Sequence, residues 1–258
     1  MIQFKRQSQI LKIIKERKFV SIKELSKQLY FSEATIRRDL HKLEKRGLIE
    51  CVRGGAVIKN YQNIETPFHV RKIENLTKKQ IIAKKAADMI ENNDILFLDA
   101  SSTVLQLVQH LDKFKNLTVV TNGLHTAMAI SGFSEIKVYC SGGMLREING
   151  SSLVGSQARS FFSNISANKM FFSVRSVHPV FGLSDTMEEE AEVKQVMMEH
   201  ANKIILLADS TKLNTSSFYH VAGLQDIDTF IIDETDILKG NEWKSIHSKV
   251  IFATQEES

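Results

Sequence analysis

Hydrophobic residues near the start of the chain recur at helical spacing in three short stretches separated by polar residues. Between Arg6 and Arg17 they fall on one stripe, which predicts a first helix. The segment Ser21–Glu24 fits a capping box and predicts the start of a short second helix. Ser32 can cap a third helix, whose apolar face repeats every three or four residues: Ile36, Leu40 and Leu43.

The segment Gly47–Ile58 contains two apolar, strand-like runs on either side of an Arg-Gly-Gly sequence. This pattern predicts a β-hairpin, because glycine supplies the backbone freedom that a tight turn needs. Three short helices followed by a hairpin predict an N-terminal winged helix-turn-helix domain over residues 1–60.

Residues 59–76 are polar, lack a regular period and contain one of the two prolines of the chain. They favour a domain boundary near Asn60, with a linker and domain entry over 61–76. Beyond this stretch, over 77–258, apolar strands alternate with helices. Helices are expected over 79–90, 104–111, 124–130 and 188–200, and strands over 95–98, 117–120, 136–140, 170–174, 204–207 and 230–232. This order predicts a C-terminal α/β domain whose mostly parallel sheet is covered on both faces.

Composition limits the class of protein. With 43% hydrophobic and 25% charged residues, the 258-residue chain resembles an ordinary globular protein. No apolar run approaches the length of a membrane span or a secretory signal, so we expect a cytoplasmic protein without a membrane partner. Cys51 and Cys140 stand far apart, so we expect two small buried hydrophobic residues and neither a disulfide, a metal site nor a cofactor.

The charge is distributed unevenly between the two predicted domains. Residues 1–60 hold fifteen basic and six acidic residues, whereas the remainder holds nineteen and twenty-four. A basic domain favours binding to the phosphate backbone of DNA, because neutralised phosphates release condensed counterions.

The exposed face predicted for the third helix suits the major groove of double-stranded DNA. Arginine can hydrogen-bond guanine, threonine can contact thymine or phosphate, and lysine can reach the backbone. The candidate DNA-binding residues are Ser32, Thr35, Arg37, Arg38, His41, Lys42 and Lys45 on the helix, with Arg53 and Gly54 in the hairpin. The alternative is a charged helix face and a turn that contact only solvent. Asp39 is acidic within this helix, and we expect it to orient a neighbouring arginine rather than contact DNA.

Polar loops follow three of the predicted strands. Ligands of parallel sheets bind where the strands end and helix N-termini point, so these loops are candidates for a phosphate site. The candidate effector-binding residues in them are Asp99, Ser101, Ser102, Thr103, Thr121, Asn122, Gly142, Gly143 and Arg146. The alternative is that each hydroxyl only caps the helix that follows it.

The segments Ala34–Leu40, Gly47–Ile49 and Arg53–Ala56 resemble the DeoR/GlpR family of bacterial transcription regulators. Further similar segments extend the resemblance over nearly the whole chain, including Phe68–Arg71, Glu190–Lys194 and Asp209–Lys212. The resemblance implies a repressor of a sugar-catabolism operon that a phosphorylated sugar releases, with a sensor domain related to ribose-phosphate isomerase and CoA-transferase folds. It also implies that Lys194 and Lys212 help to balance the phosphate, or else are solvated surface charges.

Two departures from the family pattern bear on the effector. Ser101 stands where the family usually has glycine, and its Cβ narrows the loop or forces another backbone angle. Arg175 lies in Phe172–His178, which replaces a usually glycine-bearing stretch. We interpret Arg175 as favouring a more anionic effector, and the alternative is a site that has lost affinity.

Other functions stay open at this point. A sugar-phosphate isomerase-like enzyme would need a positioned base, and the chain contains no HExxH, Gly-x-Ser-x-Gly or Walker motif, so we expect binding without catalysis. An activator and a non-specific DNA-binding protein are further alternatives. Palindromic half-sites call for paired recognition helices, so we expect a homodimer or homotetramer.

Overall fold

The computed structural model of the chain describes residues 2–17, 19–45, 49–52, 54–58, 66–146 and 151–254. Two compact units, Met1–Glu74 and Asn75–Ser258, make up the molecule. A short helix within the segment predicted as linker and domain entry, Phe68–Ile73, belongs to the first unit. In the part of the chain that is described, no helix has both the length and the apolar character needed to cross a membrane.

The first unit is a winged helix-turn-helix. Its elements are α1 (Ile2–Arg17), β1 (Phe19–Ser21), α2 (Ile22–Leu29), α3 (Glu33–Lys45), β2 (Ile49–Val52), β3 (Gly55–Ile58) and α4 (Phe68–Ile73). The three predicted helices and the hairpin are confirmed. An additional strand, β1, pairs with β3 to complete an antiparallel sheet of order β1-β3-β2.

Local hydrogen bonds set the ends of α2 and α3. The Ser21 hydroxyl accepts from the Glu24 backbone N–H at 3.2 Å, and the Glu24 carboxylate accepts from the Ser21 N–H at 2.9 Å, which confirms the capping box. Tyr30 adopts a left-handed backbone (φ 57°) and ends α2. The Ser32 hydroxyl accepts from the Thr35 N–H at 3.3 Å at the start of α3. These caps make the turn between the helices short.

The apolar stripes of the three helices meet in one core. The helices and the sheet contribute fully buried side chains to it: Ile10, Ile14, Leu25, Ile36, Leu40, Leu43, Ile49 and Ala56. Because the apolar face of α3 is used here, the opposite face points to solvent.

The second unit is an α/β domain. Its helices are α5 (Leu76–Ala87), α6 (Leu124–Ile130), α7 (Ser156–Ser163) and α8 (Glu188–Glu199), with 3₁₀ turns that include Val104–His110 and Ser210–Lys212. Its strands are β4 (Ile95–Leu98), β5 (Leu117–Thr121), β6 (Ile136–Cys140), β7 (Met144–Leu145), β8 (Leu153–Val154), β9 (Ala167–Phe172), β10 (Ser176–His178), β11 (Gly182–Asp185), β12 (Ala201–Leu207), β13 (Tyr219–Ala222), β14 (Thr229–Asp233) and β15 (Val250–Ala253).

Seven of these strands form one parallel sheet of order β15-β14-β12-β9-β4-β5-β6. The predicted fold class, a winged helix-turn-helix followed by a mostly parallel α/β domain, is confirmed. The six predicted strands are present with small shifts at their ends. The predicted helix over 104–111 is a 3₁₀ helix. The seventh strand, β15, and a small antiparallel sheet of order β10-β11-β13 were not predicted.

The strands are apolar throughout because both faces of the sheet are buried. Alternate residues of β4 point to opposite sides, so Leu96 and Leu98 pack with α5 and α6, whereas Phe97 packs with α7 and α8. The neighbouring parallel strands β9, β4, β5 and β6 run in the same direction, so their carboxyl ends all lie along one edge of the sheet. Their polar loops therefore come together there.

Candidate nucleic-acid interface and anion site

The solvent-facing side of α3 carries most of the residues predicted to contact DNA. Ser32, Arg37, Arg38, His41 and Lys42 are exposed, and Thr35 is half-buried. Gly54 is exposed in the hairpin turn with a φ of +86°. Arg53 and the side chain of Lys45 lie outside the described residues. The described side chains form a continuous polar, mostly basic face on one helix.

Two of these side chains have partners on the same helix. The Arg37 guanidinium hydrogen-bonds the Glu33 carboxylate at 3.4 Å, and His41 Nδ1 lies 3.3 Å from a Glu44 carboxylate oxygen. Arg37, Glu33 and His41 are exposed and Glu44 is half-buried, so water screens both pairs and they hold the side chains only weakly. The face can rearrange on contact with a ligand at little cost.

Asp39 holds α3 against α1. Its carboxylate is 1% exposed and accepts hydrogen bonds from the Arg6 Nε and, at 3.0 Å, from the Gln7 amide. The Arg6 guanidinium also lies over the Phe31 ring, 4.5 Å from its centroid. The predicted role, orienting a neighbouring arginine, is corrected in one respect: the arginine lies on α1 and the contact fixes the position of the helix.

Glu44 connects α3 to the hairpin. Its carboxylate accepts a hydrogen bond from the Cys51 backbone N–H at 2.8 Å. Burial and the nearby Glu44 raise the pKa of Cys51 to about 11, so it is a thiol at neutral pH.

Both cysteines were expected to be buried, but Cys51 is half-buried and Cys140 is exposed. Cys140 lies at the end of β6, an edge strand that has a neighbour on one side only.

In the second unit, the three predicted loops do come together at the edge of the sheet. A Cβ added at Gly123 would lie 2.9 Å from Ala100 Cα, which shows how closely the loops after β4 and β5 approach. The Ser141 N–H donates to the Thr121 carbonyl at 2.9 Å and joins the loop after β6. The close approach explains the glycine at 123.

Asp99 organises the first loop. Its carboxylate accepts from the Ser101 N–H at 3.0 Å and from the Ser173 N–H at 3.1 Å. The Ser101 hydroxyl accepts from the Val104 N–H at 3.1 Å and so caps the 3₁₀ helix. Ser101 is not among the described residues with positive φ. The departure from glycine here is thus accommodated by an ordinary backbone and gives the serine a capping role.

Two lysines reach the hydroxyls beside this loop. The Lys79 ammonium, which belongs to the buried side of α5, donates to the Ser102 hydroxyl at 3.1 Å. The Lys212 ammonium donates to the Ser173 hydroxyl at 2.7 Å. Burial alone would raise the pKa of Asp209, but the charge of Lys212, with smaller contributions from its other neighbours, lowers it. Lys79 was not predicted as a site residue, because it lies on a helix rather than in a loop after a strand.

Lys194 lies inside a cluster of carboxylates. Its ammonium is 2.5 Å from Asp185 and 3.8 Å from both Asp99 and Glu190. Burial alone would lower the pKa of Lys194, but the three carboxylates raise it above its ordinary value. Burial raises the pKa of Asp99. The charge of Lys194 is therefore compensated within the protein.

Arg146 extends the same cluster. Its guanidinium donates to Glu190 at 3.0 Å, and the Ser152 hydroxyl donates to the same carboxylate oxygen at 2.7 Å. Arg146 is buried. In the cluster around Lys194, two cations (Lys194 and Arg146) face three carboxylates (Asp99, Asp185 and Glu190), so this part of the edge offers no net positive charge.

Several buried oxygens at this edge have no hydrogen-bond partner within the described parts of the chain. They belong to Thr103, Asn122, Ser141 and Ser151. The Asn122 amide nitrogen, in contrast, donates to the Leu153 carbonyl at 3.1 Å. Buried polar groups are almost always hydrogen-bonded, so these oxygens fit a hydroxyl-bearing ligand or ordered water.

The remaining predicted residues border the edge. Thr121 is buried, and its hydroxyl accepts from the Gly123 N–H at 2.9 Å. Gly143 has a φ of +123°, and a Cβ there would lie 2.4 Å from the Val154 carbonyl oxygen. The space around Gly142 is open. Arg175 is exposed, and its backbone N–H donates to Asp185 at 2.8 Å.

Comparison with known proteins gives a consistent result over both units. A family model described as DeoR-like helix-turn-helix domain matches residues 6–62, and one described as DeoR C terminal sensor domain matches residues 74–234. The chain is 36% identical to the HTH-type transcriptional regulator GolR of Listeria innocua over 90% of this chain and 91% of that protein. It is 34% identical to the HTH-type transcriptional regulator GlpR of Haloferax volcanii over 91% of both.

More distant similarities were also found. The lactose phosphotransferase system repressor of Staphylococcus epidermidis is 29% identical over 95% of this chain and 98% of its own length. Among solved structures, ribose 5-phosphate isomerase A from Methanocaldococcus jannaschii has a TM-score of 0.40 and 14% identity, covering 54% of this chain and 55% of that one. A similarity at that level supports no conclusion about function.

Proposed function

This chain belongs to the DeoR family of helix-turn-helix transcription regulators, and we propose on that premise that it represses a sugar-catabolism operon until a phosphorylated sugar binds. It is a DNA-binding transcription regulator, as the family and the names of its relatives agree. The observation that best supports DNA binding is the exposed basic face of α3. The Asp39 contact positions this face, and the hairpin wing flanks it.

We infer that the effector binds where β4, β5 and β6 end. The phosphate lies at the loop Ser101–Thr103, where hydroxyls and the start of a helical turn favour an anion. Lys79 and Lys212, which already touch hydroxyls of this region, both lie near one carboxylate, Asp209, so two cations face a single anion there and supply positive charge. The unpartnered oxygens of Thr103 and Asn122 support a ligand at this position.

The compensated charges of Lys194 and Arg146 change the roles that we propose for them. Their carboxylate partners leave them little net charge for a phosphate, so they position the surrounding loops. The hydroxyls of the sugar then lie toward Asn122 and Gly142. Arg175, exposed beside this edge, stays our hypothesis for a preference among anionic effectors.

We propose that the site binds without catalysing a reaction. Proton transfer needs a base that is available to a substrate carbon, but Asp99 and Glu190 are engaged by Lys194 and by backbone or side-chain donors. This arrangement supports a sensor. Two recognition helices must reach successive turns of DNA, so we propose a two-fold dimer or a tetramer as the active form.

Replacing Arg38 with alanine should weaken operator binding by about 1–3 kcal/mol, or roughly 5- to 150-fold. The side chain is exposed on the proposed DNA-facing side of α3, so its loss should leave the fold intact. Fluorescence anisotropy with the chain's own promoter and with an unrelated duplex measures the effect. Lys12→Ala, an exposed cation on α1, is the matched control. Equal losses on both duplexes would favour the alternative of non-specific DNA binding.

Replacing Lys79 with methionine should weaken effector binding roughly 10- to 150-fold, since a hydrogen bond to a charged group contributes about 1.5–3 kcal/mol. Isothermal titration calorimetry with a panel of sugar phosphates measures this loss. Lys84→Met, an exposed position on the same helix, is the control. Unchanged affinity in Lys79→Met would place the phosphate elsewhere. In parallel, Arg175→Gly with unchanged affinities and ranking would reject the role assigned to Arg175.

A further inference from the structure

Three side chains with metal-binding atoms meet between α3 and the hairpin. His41 and Glu44 lie one turn apart on α3, and Cys51 lies on β2. Their ligand atoms, one from each residue, all lie within 4.8 Å of one another. The grouping was not expected from the sequence, where the absence of paired cysteines argued against a zinc site.

The structure of the first unit explains why these three residues are close. Residues three apart on a helix share one face, which brings His41 Nδ1 to 3.3 Å from a Glu44 oxygen. The Cys51 N–H donates to the other Glu44 oxygen at 2.8 Å, which fixes β2 beside that face. The hydrogen bond from the Cys51 N–H to Glu44, which holds the wing against α3, thus also places the Cys51 thiol near His41 and Glu44.

The donor set selects a class of metal ion. One sulfur, one nitrogen and one oxygen suit Zn²⁺ and similar ions, whereas Mg²⁺ and Ca²⁺ prefer oxygen alone. Bonds of about 2.0–2.3 Å place neighbouring zinc ligands roughly 3.5 Å apart. The separation of His41 and Glu44 already matches this value, whereas the Cys51 sulfur, within 4.8 Å of both other ligand atoms, would have to move closer when an ion binds.

We propose that His41, Glu44 and Cys51 bind one zinc-class divalent ion, with water at the remaining position; the Cys51 thiol releases its proton to solvent as the metal–sulfur bond forms, so binding should tighten as the pH rises. The site is accessible, because His41 is exposed and the other two side chains are half-buried. A bound ion would link α3 to the wing, because two of its ligands, His41 and Glu44, lie on α3 and the third, Cys51, lies on β2. It would also hold the imidazole of His41 away from a DNA base, so metal binding and DNA binding oppose each other, and that coupling is reciprocal.

Cobalt tests the site directly, because Co²⁺ bound to a thiolate gives a ligand-to-metal absorption band. Titrating Co²⁺ into the full-length protein without DNA should produce this band, and Zn²⁺ should remove it. Cys140→Ser should behave like the unaltered protein, since Cys140 is the second of the two cysteines and lies in the other unit. Cys51→Ser should lose the band, and His41→Ala should bind at least about tenfold more weakly.

A fold readout keeps the test decisive. Zn²⁺ should raise the Tm of the unaltered protein and of Cys140→Ser, and that of His41→Ala by less at the same concentration; the exposed His41 side chain can be removed without disturbing the core. Absence of a thiolate band in the unaltered protein, its persistence in Cys51→Ser or its loss in Cys140→Ser would overturn the proposal. In those cases Glu44 only ties the wing to α3.

Discussion

Replacing Lys194 with methionine is expected to lower the free energy of unfolding of the second unit by about 3–5 kcal/mol at neutral pH. The ammonium is buried among Asp99, Asp185 and Glu190, so its removal leaves three carboxylates without their shared cation. Methionine keeps most of the volume, which separates the electrostatic effect from the effect of a cavity.

The loss should depend on pH in a defined direction. The folded pKa of Lys194 is raised, so its stabilising contribution is fully present below the ordinary lysine value and disappears only as the pH rises through the folded value. In Lys194→Met the buried carboxylates take up protons more readily. The destabilisation relative to the unaltered protein should therefore shrink as the pH falls.

Urea denaturation followed by the fluorescence of Trp243 measures this loss. Trp243 is the single tryptophan of the chain and is fully buried in the second unit, so it reports on that unit alone. Lys203→Met, at an exposed position, should change stability by no more than about 0.5 kcal/mol. A loss below about 1 kcal/mol, or one that is the same at acidic and neutral pH, would show that the cluster does not depend on Lys194.

Replacing Asp39 with alanine is expected to destabilise the first unit by about 3 kcal/mol and to remove specific DNA binding. Asp39 makes no proposed contact with DNA. Its removal takes away an acceptor that Arg6 and Gln7 on α1 both use, and α3 loses the contact that sets its position. Asp39→Asn keeps the shape and one acceptor oxygen, so it should have a smaller effect.

Amide hydrogen exchange in α1 and α3 measures the stability of this unit directly. Glu33→Ala removes an exposed carboxylate from the same helix and should change exchange little. In a double-mutant cycle, Arg6→Ala and Asp39→Ala should be strongly non-additive if they form one interaction. Additive effects, or full DNA binding by Asp39→Ala, would show that the pair does not position α3.

Much of this fold could be predicted because burial imposes a period on the sequence. The stripes of α1, α2 and α3 and the continuous apolar strands β4, β5 and β6 are local patterns. The strand β1 has only three residues and ends at the Ser21 cap, so no period marks it. The strands β10, β11 and β13 are short, and the sheet is completed only when β11 pairs with β13 from a later part of the chain.

The sequence predicted where the candidate effector site lies, but not which of its charged side chains are compensated by others. The rule that ligands bind at the ends of parallel strands identified the three loops. It could not show that Lys194 is compensated by a carboxylate 95 positions earlier in the sequence, Asp99, or that Lys79 reaches Ser102 from a helix. Asp39 stood out as acidic in a basic helix, but its partner on α1 became clear only from the packing of the two helices.

The most direct test of the proposed coupling is operator affinity measured by anisotropy while sugar phosphates are added, with the corresponding unphosphorylated sugars in parallel. We expect one phosphorylated sugar to weaken operator binding at least about fivefold, the lower end of ordinary allosteric coupling, and its unphosphorylated form to have no effect. In Lys79→Met the same sugar phosphate should act only at roughly 10- to 150-fold higher concentration. Operator affinity that no sugar phosphate alters, in a protein that binds one of them by calorimetry, would contradict the coupling between the two units.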